Sequence, residues 1–302
     1  MKVLVTGAAG FTGSYAVPLF LDNGFDIRCL VRKTSNTISL NKKDVELVYG
    51  DLEDISSLKH ALEDIDAMVN IASMGFGHGP NVVRACVETG VKRAIFVSTT
   101  AIFTRLNAAS KSIRIAAENI VRNSGLDYTI LRPTMIYGGS RDRNICRLIR
   151  YLERWPIIPV FGDGECLQQP VYVKDVAKAL HKALVTRRTI KKSYNIAGGR
   201  ALSLNQMIDT ICGILGRRVQ KIKIPISPVV KIFSFAETLS LSLPIKAEQV
   251  LRLNEDKAFD TNEAERDFEY EPYSFVEGVT LEIKEMGIDC KNRISKDKSH
   301  TI

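Results

Sequence analysis

Gly7, Gly10 and Gly13 stand at three-residue spacing in "TGAAGFTG", straight after the apolar run "KVLVT". Glycine tolerates the tight turn such a run needs and lets the backbone approach a pyrophosphate closely. The residues that follow, Phe11 and Thr12 among them, lead into a helix whose first amides are unpaired and sit at the positive end of its dipole. That is the chemistry of holding a dinucleotide. The end of the second apolar run bears on which one. An acid there would bind the ribose hydroxyls of NAD, but the sequence reads Val31, Arg32, Lys33. A guanidinium at that point can pair with a 2′-phosphate, so the pattern favours NADP over NAD.

These residues need a scaffold, and the first half of the chain has its rhythm. Strand-like "KVLVTG", "DIRCLVR", "VELVYGD", "DAMVNIAS", "RAIFVST" and "DYTILRPT" alternate with helix-like "FTGSYAVPLFLDNG", "ISSLKHALED", "PNVVRACVETG" and "AASKSIRIAAENIVRNSG". Such alternation means parallel βαβ units, and the predicted class is α/β, a doubly wound Rossmann sheet with a smaller C-terminal substrate lobe. The dinucleotide-binding core is assigned to 1–140, with 171–199 returning to it. The lobe takes 141–170 and 200–288, and 289–302 reads as a disordered polar tail.

The 302 residues suffice for a sizeable core. A net charge of +8 permits attraction to anions, but no nucleic-acid module is visible. The six cysteines form no C-x-x-C pair, so no metal site is signalled, and reduced thiols in a cytoplasmic protein are the expectation. No apolar run reaches the length of a membrane span, and Ser227–Ile245 reads as a buried or amphipathic helix.

The glycine turn, "GDLED", "DAMVNIAS", "NVVRACVETGVKRAIFVST", "LRPTMIYG" and "QPVYVKDVAKAL" together resemble the short-chain dehydrogenase/reductase superfamily, in its extended and atypical branches. The style is similar to epimerase/dehydratase relatives, to NmrA-like proteins and to the accessory subunit of respiratory complex I. The resemblance implies cofactor contacts at Asp51 and Leu52 for the adenine, at Ala72 and Ser73 beside the cofactor, and at Pro133 after the sixth strand. It implies a catalytic Ser/Thr at Thr100 and a lysine at Lys111 that holds the nicotinamide ribose. The family's catalytic tyrosine falls on Asn107, whose amide cannot titrate near neutral pH. Tyr137, His78 and Tyr172 are the candidates to replace it, with Tyr137 the first choice. Met135 stands where relatives acting on nucleotide sugars often carry an asparagine. Arg141, Asp142 and Arg143 form a charged loop that could meet a substrate phosphate. Relatives often pair through two sheet-flanking helices, which makes a homodimer possible. The expectation is an NAD(P)-dependent oxidoreductase or epimerase/dehydratase-like enzyme acting on a sugar, nucleotide-sugar or other polar carbonyl or hydroxyl compound. The alternative is a non-catalytic NADPH-binding sensor or accessory module.

Overall fold

The computed structural model describes residues 1–106, 109–226 and 254–288. Asn107, Ser227–Ile245 and the tail 289–302 lie outside the described residues. In chain order the elements begin β1 (Lys2–Thr6), α1 (Gly13–Asp22), β2 (Asp26–Val31), β3 (Glu46–Tyr49), α2 (Ile55–Ala61), β4 (Ala67–Asn70), α3 (Gly79–Thr89), β5 (Arg93–Val97), α4 (Ala109–Arg122) and β6 (Asp127–Pro133). They continue β7 (Ile136–Tyr137), α5 (Ile145–Arg154), β8 (Ile157–Phe161), β9 (Leu167–Gln168), β10 (Val171–Tyr172), α6 (Val173–Val185), β11 (Lys192–Ile196), β12 (Leu202–Ser203), α7 (Leu204–Leu215), β13 (Gln220–Ile224), α8 (Asn262–Phe268) and α9 (Phe275–Glu285).

Seven strands form one sheet in the order β11-β6-β5-β4-β1-β2-β3, every neighbouring pair parallel. This is the doubly wound sheet the alternation predicts. Successive side chains of a strand point to opposite faces, and β1 shows the result. Val3 and Val5 enter a layer with Val17 and Phe20 of α1 and Leu180 of α6. Leu4 enters the opposite layer with Leu58 of α2, Val82 of α3 and Val121 of α4. Each such buried side chain contributes about 1.5–3 kcal/mol through its removal from water. Pro18 lies inside α1 without ending it. The strand order reverses between β1 and β4, and at such a switch point the carboxyl ends of the strands open a crevice.

The chain forms two compact units. The first holds Met1–Ile136, Val171–Ala197 and Asp260–Pro272; the described part of the second holds Tyr137–Pro170, 198–226, 254–259 and 273–288. The sequence pattern gave all of 200–288 to the lobe, whereas Asp260–Pro272 belongs to the first unit. The reason is a buried carboxylate. Asp267 of α8 accepts from Lys192 Nζ at 2.7 Å and from the Tyr194 hydroxyl at 2.8 Å, both on β11. The hydrogen bond from Lys192, against the opposing effect of burial and with help from Tyr194 and Arg266, holds that carboxyl well below the usual range. In the second unit α5 and α9 pack on α7, and β8 pairs with β13. Ser203 and Ser274 open α7 and α9 with reciprocal capping bonds to Gln206 and Glu277, which satisfy the free amides of each first turn. Among the described residues no helix is long and apolar enough to cross a membrane.

Candidate functional site: a groove over the glycine turn

β1 ends at Thr6 and the chain turns through Gly7, whose φ of +68° lies in the left-handed region. A methyl there would come 2.8 Å from the Ala72 amide nitrogen, so only glycine fits between β1 and the end of β4. The Gly10 amide closes the turn by donating to the Gly7 carbonyl at 2.9 Å. Gly13 starts α1 so close to the turn that a Cβ would overlap the Gly7 and Ala8 carbonyl oxygens. Three glycines therefore do three jobs: a left-handed turn, an open backbone and a close helix start.

A groove of about 940 Å³ lies over this turn, lined by Gly7, Gly10, Arg32, Asp51, Leu52, Ala72 and Ser73 together with Thr34, Ser35, Asn36 and His78. Each wall is fixed by local bonding. Beyond β2 the Ser35 amide donates to the Arg32 carbonyl at 2.8 Å, and the Arg32 amide donates to Ser35 Oγ at 3.2 Å. That turn brings a guanidinium, two hydroxyls and an amide side chain to one wall. Beyond β3 the Asp51 carboxylate accepts from the Glu53 amide at 3.0 Å, while Asn81 of α3 donates to the Leu52 and Glu53 carbonyls at 3.3 and 3.0 Å. Beyond β4 Asn70 donates to the Ala72 carbonyl at 3.1 Å and accepts from Thr6 Oγ1 at 2.7 Å. Ser73 Oγ accepts from the Gly75 amide at 3.2 Å.

Thr34, Ser35 and Asn36 were not singled out by the sequence, although the polar run directly after Arg32 carries the signal. Phe11, Thr12 and Gly13 do not line the groove. The Phe11 carbonyl accepts from Ser14 Oγ at 2.7 Å, its ring packs edge-on to Tyr15, and Thr12 is the residue from which α1 starts.

Thr100, Lys111 and Pro133 form a second group, which does not line the groove. Thr100 is buried and opens a short 3₁₀ turn, Thr100–Phe103, and its Oγ1 donates to the Pro133 carbonyl at 3.4 Å. Lys111, at the start of α4, donates from Nζ to the Thr104 carbonyl at 2.6 Å, at the far end of the same turn. The turn thus links the lysine to the threonine.

The first-choice replacement for the missing tyrosine is corrected by its surroundings. Tyr137 is 1% exposed and packs within the second unit, its ring 5.5 Å from Phe275 and its hydroxyl filling the space where Gly278 lacks a side chain. A hydroxyl enclosed by packing is not offered to a substrate. Tyr172 is equally buried. His78 lies in the groove wall, its ring 6.2 Å from that of the exposed Phe76. Asp142 does not face outward with Arg141 and Arg143: it is buried and accepts from the amides of Asn144 and Cys146 at the start of α5.

A dinucleotide fits these residues. The groove has the volume of a cofactor cleft, the glycine turn that leads into α1 lines it from Gly7 to Gly10, and its walls carry a guanidinium and a carboxylate. Residues 7–186 match the model of a family described as NAD(P)H-binding. The photosystem II assembly factor Ycf39 of Trieres chinensis is 24% identical over 251 residues, 78% of this chain and 77% of that protein. The 2-alkyl-3-oxoalkanoate reductase of Stenotrophomonas maltophilia is 25% identical over 92% of this chain and 96% of its own. Among solved structures the UDP-glucose 4-epimerase of Thermotoga maritima superposes with a TM-score of 0.75 at 20% identity, covering 95% of this chain and 99% of that one. With the glycine turn seated at the switch point of a parallel sheet, the chain belongs to the NAD(P)H-binding family.

Proposed function

We propose that this protein is an NADP(H)-dependent oxidoreductase acting on a small carbonyl or hydroxyl compound, with Lys111 in place of the family's tyrosine as the proton-holding group. The observation that carries the reading is the bond from Lys111 Nζ to Thr104, which ties the ammonium to the turn that begins at Thr100. An ammonium can give a proton to an alkoxide and stabilises the negative charge as it develops. Bound NADPH would supply the hydride. Thr100 anchors the turn through its bond to the Pro133 carbonyl, and Gly7, Gly10, Arg32 and Asp51 hold the dinucleotide. The reductase among the relatives agrees with this reading. Turnover is tested with NADPH and a panel of aldehydes and ketones. K111M lowers kcat by at least about 100-fold, the size of a lost general acid, while NADPH binding measured by fluorescence persists.

The preference for NADP rests on Arg32 with Thr34 and Ser35, a wall with no acid at the end of β2. In R32A the affinity for NADPH falls about tenfold and that for NADH does not change, because one charge-assisted bond to a 2′-phosphate is lost. Equal losses for the two cofactors would show that Arg32 does not read the phosphate.

A second reading has its own support. Tyr137 and Tyr172, the tyrosines offered as replacements, are each 1% exposed, and one relative is an assembly factor. In that reading the chain holds NADPH without consuming it. NADPH that binds tightly but is oxidised by no compound of the panel, in wild type as in K111M, selects it.

A further inference from the structure

α5 has two unlike faces. Ile145, Cys146, Ile149 and Leu152 are buried at helical spacing and carry its packing in the second unit. Arg147, Arg150 and Arg154 recur at the same spacing on the other face and are exposed. The helix ends in Trp155, which is 54% exposed, and β8 begins with Ile157, 44% exposed, while Tyr151 stands exposed between the arginines. The three arginines, Tyr151 and Trp155 line a shallow groove of about 450 Å³ with Met286 and Ile288. Glu153 is the one acid in its wall, and its backbone carbonyl is taken by Arg217. An exposed tryptophan and an exposed isoleucine thus stand beside three cations on one face. Together they match a surface whose headgroups are anionic phosphates and whose interior is apolar.

We propose that this face of α5 docks on the surface of an anionic lipid bilayer. The arginines pair with lipid phosphates, to which a guanidinium presents parallel donors. Trp155 and Tyr151 sit at the level of the headgroups, where a ring with one polar edge is most stable, and Ile157 reaches the acyl boundary. Aliphatic side chains at the tip favour lipid over nucleic acid, which has no apolar layer for Ile157, Met286 and Ile288 to enter. The contact is peripheral and reversible by salt, since phosphate pairing at an exposed surface is screened.

The chain contains a single tryptophan, so its emission reports on this face alone. The full chain is titrated at low salt with vesicles of phosphatidylcholine, and of phosphatidylcholine mixed with phosphatidylserine. Only the mixed vesicles should shift the Trp155 emission to the blue, brominated acyl chains should quench it, and high salt should reverse both. In R147Q/R150Q, whose exposed side chains the fold does not need, the partition coefficient should fall about thirtyfold, about fivefold for each cation removed. Three results overturn the proposal: an emission that mixed vesicles do not move, an equal response to neutral vesicles, or a response to a single-stranded oligoribonucleotide and not to vesicles. Cosedimentation of R147Q/R150Q with mixed vesicles at the wild-type level overturns it too, since another part of the chain then binds the lipid.

Discussion

Replacing Glu282 by glutamine makes the protein more stable above about pH 8 and removes most of its loss of stability between pH 4.5 and about 8. Glu282 lies on the packing stripe of α9 with Phe275, Gly278, Val279 and Ile283, and it is 0% exposed. Neither carboxyl oxygen makes a hydrogen bond of good geometry, although the amides of Gly138 and Gly139 lie close enough to act on it. Burial is the main reason its pKa is pushed up to about 8; Asp142 and Glu285 add to it, and the amides of Gly138 and Gly139 act in the opposite sense. The native state therefore binds this proton more tightly than the unfolded chain does. The stability it confers is complete below the ordinary pKa of 4.5 and is lost as the pH rises through about 8. A pKa difference of that size corresponds to roughly 4–5 kcal/mol. Urea midpoints measured from about pH 5 to about pH 9 should fall steadily for the wild type and stay nearly level for E282Q, the two meeting at the acid end. A level wild-type curve would mean that Glu282 is ionised in the native protein at neutral pH.

The sequence makes legible the residues that line the groove over the glycine turn, and little of what surrounds Tyr137 and Glu282, for physical reasons. Gly7, Gly10 and Gly13 are legible because their role is local: a left-handed turn and a close helix start are set by neighbours within a few residues. Arg32 and Asp51 are legible because they follow directly on strands whose apolar runs are plain. Tyr137 is different. A tyrosine after a strand can face a cleft or a core, and what decides it is the missing side chain of Gly278, far along the chain. The place of Asp260–Pro272 is not legible for the same kind of reason, since Lys192 and Tyr194 claim Asp267 through tertiary contacts that no local pattern contains. Glu282 carries a visible signal: an acid three residues after Val279, on the apolar stripe of a capped helix. The polar run Thr34–Asn36 also lay open beside Arg32, hidden only because its residues are ordinary in turns.

Removing the Glu118 carboxylate should cost about 3–5 kcal/mol. Glu118 is 1% exposed and accepts from Arg132 Nε at 2.9 Å, from Arg132 Nη2 at 2.7 Å and from Arg122 Nη2 at 2.7 Å. Burial alone would raise its pKa, but the bonds from Arg132 and Ser98 and the charges of Arg132 and Arg122 bring it below the usual value. It is thus ionised at neutral pH, and the stability it confers is lost as the pH falls through that lowered value. E118A leaves the Arg132 guanidinium, whose side chain is 12% exposed, without its carboxylate partner, which is where the cost arises. Arg132 also lies 5.3 Å over the ring of Phe103, the last residue of the turn that starts at Thr100. The same ion pair therefore fixes α4, which carries Lys111, against both the strand and the turn that carry Pro133 and Thr100. Replacing both partners, as in E118M/R132M, should recover much of the stability in urea, since an apolar pair of similar volume leaves no charge exposed to a dry interior. Recovered stability with lost turnover would assign Glu118 and Arg132 to positioning Lys111; recovery of both would confine the pair to holding the fold.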